Sequence, residues 1–130
     1  MRNVVKGYGI DICEIDRIKS AVKKREDFLI RYFGDDELFY IRSLKNPAQT
    51  IAANFAGKEA FAKAIGTGIR GFRLQEVQVL RDEEGKPFLK LNGMAEEAAK
   101  RAGFSSFLVS LSHCKSYAVA GVIGIGGQDG

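Results

Sequence analysis

Apolar residues fall along this chain in two rhythms. From Val4 to Ile12 they run almost without a break, which predicts a strand, with Gly7 and Gly9 marking a bend or the close approach of another backbone. From Glu14 to Arg25 the spacing lengthens. Ile15, Ile18 and Val22 recur at three and four residues, as on one face of a helix. Phe28–Phe33 and Asp35–Leu44 read as two shorter helices divided by Gly34, their aromatic and aliphatic residues being core. The acids Asp35, Asp36 and Glu37 open the second of them, where the helix dipole favours negative charge. Asn46-Pro47 then introduces the longest periodic run, Ala48–Ile65. That run is apolar on nearly every side, so it predicts a buried helix, stopped by Gly66-Thr67-Gly68.

After Gly71 the period shortens. Leu74–Leu80 and Pro87–Leu91 predict a pair of strands around the turn Asp82-Glu83-Glu84-Gly85. Met94–Ala102 follows as a short helix, and Phe107–Leu111 and Tyr117–Ile125 as the last two strands. The final strand is mostly small or β-branched, as in a buried strand, and the glycine-rich tail from Gly126 is expected to fray. No internal repeat is evident. The expectation is an α+β protein in which a small antiparallel sheet packs against one long buried helix, forming a single domain over residues 1–130.

Composition narrows this picture. Hydrophobic residues make up 45% of the chain, enough for a substantial core. The net charge of +4, from 20 basic and 16 acidic residues, permits an acidic partner. No long Lys/Arg block and no zinc-finger or RNP-type signature points to nucleic acid. No stretch is long enough to span a membrane, and the chain enters its first strand without an apolar leader, so no signal peptide is expected. Cys13 and Cys114 lie far apart in apolar segments, which favours packed, reduced thiols and a cytoplasmic setting.

Charge in apolar surroundings supplies the candidate chemistry. The long helix carries only Lys58, Glu59 and Lys63, and buried charges are costly unless paired or bound to an ion. Glu59 and Lys63 are four residues apart, hence on one side of the helix. A carboxylate, two ammoniums and a glycine-rich helix end suit a metal and phosphate site. Asp11 is a second carboxylate among Ile10, Ile12 and Cys13, although a helix cap is an equally ordinary role for it. His113, the only histidine, stands at a turn beside Ser110, Ser112 and Lys115, which suits an anion ligand as well as a structural role. Arg17, Lys19, Lys23, Lys24 and Arg25 give the first helix a basic face, either a solvated surface or a dock for an acidic protein.

Three patches in order resemble a known family: Gly9-Ile-Asp-Ile-Cys-Glu-Ile-Asp-Arg17; Phe55-Ala-Gly-Lys-Glu-Ala-Phe-Ala-Lys63 with Gly66-Thr-Gly68; and Val109-Ser-Leu-Ser-His113 with Tyr117-Ala-Val-Ala120. Together with the Gly85-Lys86-Pro87 turn, and over Tyr8 to about Val122, they resemble the bacterial holo-[acyl-carrier-protein] synthases. These are the short branch of the 4′-phosphopantetheinyl transferases. The resemblance implies a trimer with active sites between subunits. It implies transfer of the phosphopantetheine arm of coenzyme A to a serine of apo acyl carrier protein, for fatty acid biosynthesis. Adenosine 3′,5′-bisphosphate is released and Mg²⁺ is required.

On the same resemblance, Asp11 and Glu59 hold the metal, and Lys63 binds phosphate and assists the leaving oxygen. The catalytic group is then Asp11, Glu59 and Lys63. His113, Lys58, Gly66, Thr67, Gly68, Lys86 and Pro87 are expected around coenzyme A, and Arg17, Lys24 and Phe28 at the carrier protein. The general base stays open, with Glu59 acting through a water as one candidate. Two positions depart from the family pattern. Asn54 stands where arginine is frequent, so another basic residue must serve the coenzyme or binding is weaker. Gly57 replaces a commoner alanine at a helix-interior cost of about 1 kcal/mol, which a close approach of backbone or ligand would explain. The competing readings are a non-catalytic binding module with a degenerate site, which the intact Asp11, Glu59, Lys63 and His113 oppose, and a small nucleic-acid binder, which charge alone favours.

Overall fold

The computed structural model describes residues 2–128. Strand β1 (Asn3–Glu14) leads into helix α1 (Ile15–Lys24), then the short helices α2 (Phe28–Tyr32) and α3 (Asp35–Arg42) and the long helix α4 (Ala48–Ile65). A 3₁₀ turn at Leu74–Glu76 precedes the hairpin β2 (Val77–Arg81) and β3 (Pro87–Leu91). Helix α5 (Gly93–Arg101) and strands β4 (Phe104–His113) and β5 (Tyr117–Gly127) complete the chain. The antiparallel three-stranded sheet has the order β1-β5-β4, and β2-β3 forms a separate pair.

Helix α4 is enclosed on three sides, as its apolar pattern demands, with Gln49 and Lys63 exposed. Ala56, Ala60 and Ala64, spaced by four, lie on Ala120 and Val122 of β5. Ile51, Ala52 and Ala53 join Ile15, Ile18, Phe28, Phe33, Leu38 and Ile41 on a second side, and Phe61, Ala62 and Ile65 meet Phe72, Val77, Ala95, Ala99 and Phe104 on a third. The glycines of β1 permit the closest approach. A Cβ on Gly7 or Gly9 would strike the carbonyl oxygens of Ala64 and Ala60. A register shift between Val5 and Gly7 adds the bend. At Gly57 the near neighbour is a side chain, with Val79 Cγ2 3.0 Å from where a Cβ would stand.

Several expectations change. Leu74–Gln75–Glu76 is a 3₁₀ turn rather than strand, because the Glu76 carboxylate accepts from the backbone amides of Arg73 and Met94 and closes it. Gly126 and Gly127 continue β5 instead of fraying, paired with Val4 and Asn3; Asp129 and Gly130 lie outside the described residues. Cys13 is half-buried and its thiol donates to the Ala52 carbonyl (3.1 Å), whereas Cys114 is exposed in the β4–β5 connection, not packed. Both thiols are free.

The outer face of the three-stranded sheet is open and apolar. Register sets Tyr8, Ile123 and Leu108 in one row, Ile10 with Gly121 in the next, and Ile12 with Val119 after that. Tyr8, Ile10 and Ile12 are each more than half exposed, at 62%, 53% and 60%. A strand apolar on both faces but covered on one is a surface that calls for a cover.

Candidate active site

Asp11 lies on the helix-facing side of β1, opposite Ala120, and Glu59 and Lys63 lie one turn apart on α4. The helix-cap role for Asp11 is set aside: α1 begins at Ile15, and Asp11 is inside the strand. The small residues that draw α4 onto β1 therefore also bring two carboxylates and an ammonium together. Lys63 Nζ donates to Asp11 Oδ1 (3.1 Å) and to the Ile10 carbonyl (3.0 Å), with the lysine side chain 56% exposed and the aspartate 18%. Burial first, and then the negative charge of Asp11, push the Glu59 carboxyl above its ordinary range, while Lys63 works in the other direction. The charge conflict between two neighbouring carboxylates is what a bound cation relieves.

The donor set fits Mg²⁺, a hard ion that commonly takes one or two carboxylates and leaves its remaining positions to water and substrate phosphate. Among the described residues no group of three or more His, Cys, Asp or Glu gathers into a metal cage. Asp11 and Glu59 line a hollow together with Cys13, Glu14, Arg17, Lys24, Arg25, Phe55 and Tyr117. The first-helix residues Arg17 and Lys24 thus stand at the rim of the carboxylate site.

Phe28 also borders this hollow, but as part of its floor. It is 6% exposed and its ring packs edge-on against Tyr32 at a centroid distance of 5.0 Å, with Phe33 and Phe55 alongside. Of the three residues expected at the carrier protein, Phe28 is thus the enclosed one, beneath Arg17 and Lys24. Lys58 changes role completely. Its side chain is 0% exposed, and its three protons go to the Glu37 carboxylate, the Val77 carbonyl (2.6 Å) and the Leu74 carbonyl (3.1 Å). It holds the 3₁₀ turn and β2 against α4 and has no proton left for coenzyme A. Desolvation pushes Lys58 down to about 8, while the Glu37 charge pulls it back; desolvation pushes Glu37 upward.

Glu37 and Arg81 are the residues that sequence reasoning missed. The Glu37 carboxylate also accepts from the Gly34 amide (3.0 Å), the Val79 amide (3.0 Å) and the Asn54 side chain (3.2 Å). Asn54 donates to the Val79 carbonyl (3.0 Å) and accepts from Arg81 Nη2 (2.9 Å) through its oxygen. Glu37 read as one of three acids in a first helical turn, with nothing to mark it as buried. Arg81 did carry a signal, because it shares parity with Val77 and Val79 on the buried face of β2.

The remaining residues stand elsewhere. Gly66 ends α4 in the left-handed region (φ 82°), and exposed Thr67 and Gly68 follow, one turn beyond Lys63. His113, at the end of β4, lines a second hollow with Gln49, Thr50, Ala53, Arg81, Gly85, Pro87 and Leu111; Lys86 is exposed in the adjoining turn. The two hollows share no residue. β5 lies between the strands of Asp11 and His113, two strand spacings or about 10 Å. The described chain therefore carries two separate hollows.

A family model described as the 4′-phosphopantetheinyl transferase superfamily matches residues 7–121. The chain belongs to that superfamily. It is a phosphopantetheinyl transferase, an enzyme. A holo-[acyl-carrier-protein] synthase of Alkaliphilus oremlandii is 43% identical over 122 residues, 94% of this chain and 100% of that protein. Among solved structures, a Bacillus anthracis holo-(acyl-carrier-protein) synthase in complex with CoA (3′,5′-ADP) superposes with a TM-score of 0.79 at 32% identity, covering 95% of this chain and 98% of that one. A Helicobacter pylori holo-[acyl-carrier-protein] synthase in complex with coenzyme A gives 0.79 at 28%, covering 90% and 98%. The antiparallel α+β architecture expected for the transferase is the one observed.

Proposed function

We propose that this transferase moves 4′-phosphopantetheine from coenzyme A to a serine of apo acyl carrier protein, as a single-domain cytoplasmic enzyme that depends on Mg²⁺ and serves fatty acid biosynthesis. The observation that carries the reading is the half-buried pair Asp11 and Glu59 with Lys63 beside it, in a hollow rimmed by Arg17 and Lys24. The carrier serine oxygen attacks the β-phosphorus of coenzyme A, and its proton passes to a general base, for which Glu59 acting through a water is the candidate. The bond to the oxygen bridging the two phosphates breaks, and adenosine 3′,5′-bisphosphate leaves with that electron pair. Asp11 and Glu59 would hold Mg²⁺, which would supply charge screening of the pyrophosphate and of the leaving group.

The chain's own groups do the rest. The exposed Lys63 ammonium, paired with Asp11 in the free chain, is the cation available to a phosphate oxygen of the coenzyme. Arg17 and Lys24 draw the acidic carrier toward the carboxylates by charge complementarity. Gly66, Thr67 and Gly68 border the coenzyme near Lys63, while His113, Pro87 and Lys86 hold its nucleotide end.

The open face bearing Tyr8, Ile10 and Ile12 supports a homotrimer, and the separation of the two hollows supports active sites completed between subunits. The test incubates the protein with apo carrier protein, coenzyme A and Mg²⁺ and weighs the carrier by mass spectrometry. Gain of the phosphopantetheine mass is expected. A carrier that stays apo, while an active transferase converts it in parallel, overturns the reading.

A further inference from the structure

A third hollow shares no residue with the two described above. It encloses about 440 Å³ between α2, the segment that follows α4 and the 3₁₀ turn, within the usual size of a small-ligand pocket. Arg31, Tyr32, Ile69, Arg73, Leu74 and Gln75 line it. Leu74 is buried. Tyr32 packs on Phe28 (5.0 Å) and Phe55 (6.0 Å), which line the carboxylate hollow, so an aromatic wall divides the two. The frame is tied from both sides. The Gln75 side-chain amide donates to the carbonyls of Ile30 (3.3 Å) and Arg31 (3.1 Å), and Lys58 Nζ donates to the Leu74 carbonyl (3.1 Å).

Its charge has one sign. No acid lines the hollow. Among the described residues neither Arg31 nor Arg73 forms an ion pair. The Arg31 guanidinium lies 5.9 Å from the centroid of the Tyr32 ring. Glu76, the acid nearest Arg73 in sequence, is taken by the backbone amides of Arg73 and Met94. On the lip, Ile69 is 44% exposed, and Ile30, beside Arg31, is 62% exposed. Two uncompensated guanidiniums over an apolar floor match a ligand with an anionic head and an apolar tail. A flat face would suit an acidic protein, whereas a concave one with an apolar floor favours a small amphiphile. We propose that this hollow binds a short aliphatic chain ending in a carboxylate or phosphate, with Arg31 and Arg73 on the head and Tyr32, Ile69 and Leu74 along the chain. The site stands apart from every residue assigned to coenzyme A or to the carrier protein.

Calorimetric titration of the intact protein, below the micellar concentration of each probe, compares decanoate, decyl phosphate, decanol and inorganic phosphate. Decanoate, decyl phosphate or both are expected to bind once per chain, at least tenfold tighter than decanol, which lacks the charge, and inorganic phosphate, which lacks the chain. The tighter of the two names the head group. Arg73→Met should weaken the anion at least fivefold and leave decanol within twofold. Ile69→Ser should weaken the anion and decanol alike, and Arg101→Met, on α5, should change neither. Circular dichroism establishes that the variants fold. Saturating coenzyme A should leave the anion's affinity within twofold. Neither anion binding tighter than decanol or phosphate, or an affinity unaltered in Arg73→Met, overturns the proposal. Displacement by coenzyme A also overturns it and gives the hollow to the pantetheine arm. Loss of apo carrier protein binding in Arg73→Met, with neither anion bound by wild type, overturns it and gives the arginines to the carrier.

Discussion

Lys58→Met tests whether the lysine of the Lys-Glu pair is structural. Methionine keeps the length and apolar stem of the side chain and deletes the ammonium. Three acceptors then lose their donor in a region closed to water: the Glu37 carboxylate and the carbonyls of Leu74 and Val77. Removing one partner of a buried ion pair costs about 3–5 kcal/mol, because the other charge stays desolvated without compensation. The Gly34 and Val79 amides and Asn54 still serve Glu37 and place the cost toward the lower end. For a chain of this length the unfolding entropy is about 0.27 kcal/mol/K near the midpoint, so Tm should fall by about 11–18 °C.

Calorimetry and urea unfolding of the wild type, Lys58→Met, Glu37→Gln and the double variant measure this. The double variant carries no stranded charge, so it should lose less stability than the two single losses combined, with a coupling of about 2 kcal/mol or more. Coenzyme A affinity, measured below the lowered Tm, should stay within threefold of wild type. A loss under about 1 kcal/mol for Lys58→Met would refute the burial argument. Additive single losses would show that the pair does not act as one unit. A tenfold or greater fall in coenzyme A affinity in a folded variant would return Lys58 to the coenzyme.

Four further outcomes are expected. The raised Glu59 carboxyl binds more protons folded than unfolded at acid to neutral pH, so stability falls as pH rises through its folded value; in chelator, Glu59→Gln should therefore melt higher than wild type at pH 7, with the gain vanishing near pH 4, and only wild type should gain from added Mg²⁺. Arg17→Glu should raise the KM for carrier protein at least tenfold and leave coenzyme A binding within twofold, read by carrier mass and by calorimetry; equal losses would refute a docking role. Ile10→Lys, on the open sheet face, should convert a trimer to monomers by light scattering and abolish turnover, while circular dichroism is unchanged; an assembly that persists removes that face from the interface. Gly9→Ala puts a methyl against the Ala60 carbonyl and should cost at least about 2 kcal/mol in urea unfolding, whereas Gly57→Ala, facing the side chains of Val79 and Leu111 and no backbone, should cost less than half as much.

Elements with a local cause were legible in the sequence. The all-round apolar run from Ala48 to Ile65 is a buried helix with those bounds, and the glycines of β1 do mark a close backbone approach. Asp11, Glu59 and Lys63 converge because the alanines at 56, 60 and 64 that press α4 onto the sheet share a helix with the charges. Leu74–Glu76 was misread because its shape depends on one carboxylate bonding an amide eighteen positions away, which no periodicity records.

The same limit explains the two charges that changed meaning. Lys58 and Glu59 are adjacent, and a linear reading treats them as one motif. On a helix, adjacent residues point about 100° apart, so one turns toward β2 and Glu37 while the other turns toward β1 and Asp11. A helix enclosed on most of its surface must satisfy each enclosed charge separately, according to the element each one meets. Lys58 meets a carboxylate and two carbonyls and becomes part of the core. Glu59 meets another carboxylate at the wall of a hollow and is left with repulsion, which a cation can relieve. Asn54 follows the same rule one turn earlier. It faces β2, where its amide takes up Glu37 and its oxygen takes up Arg81.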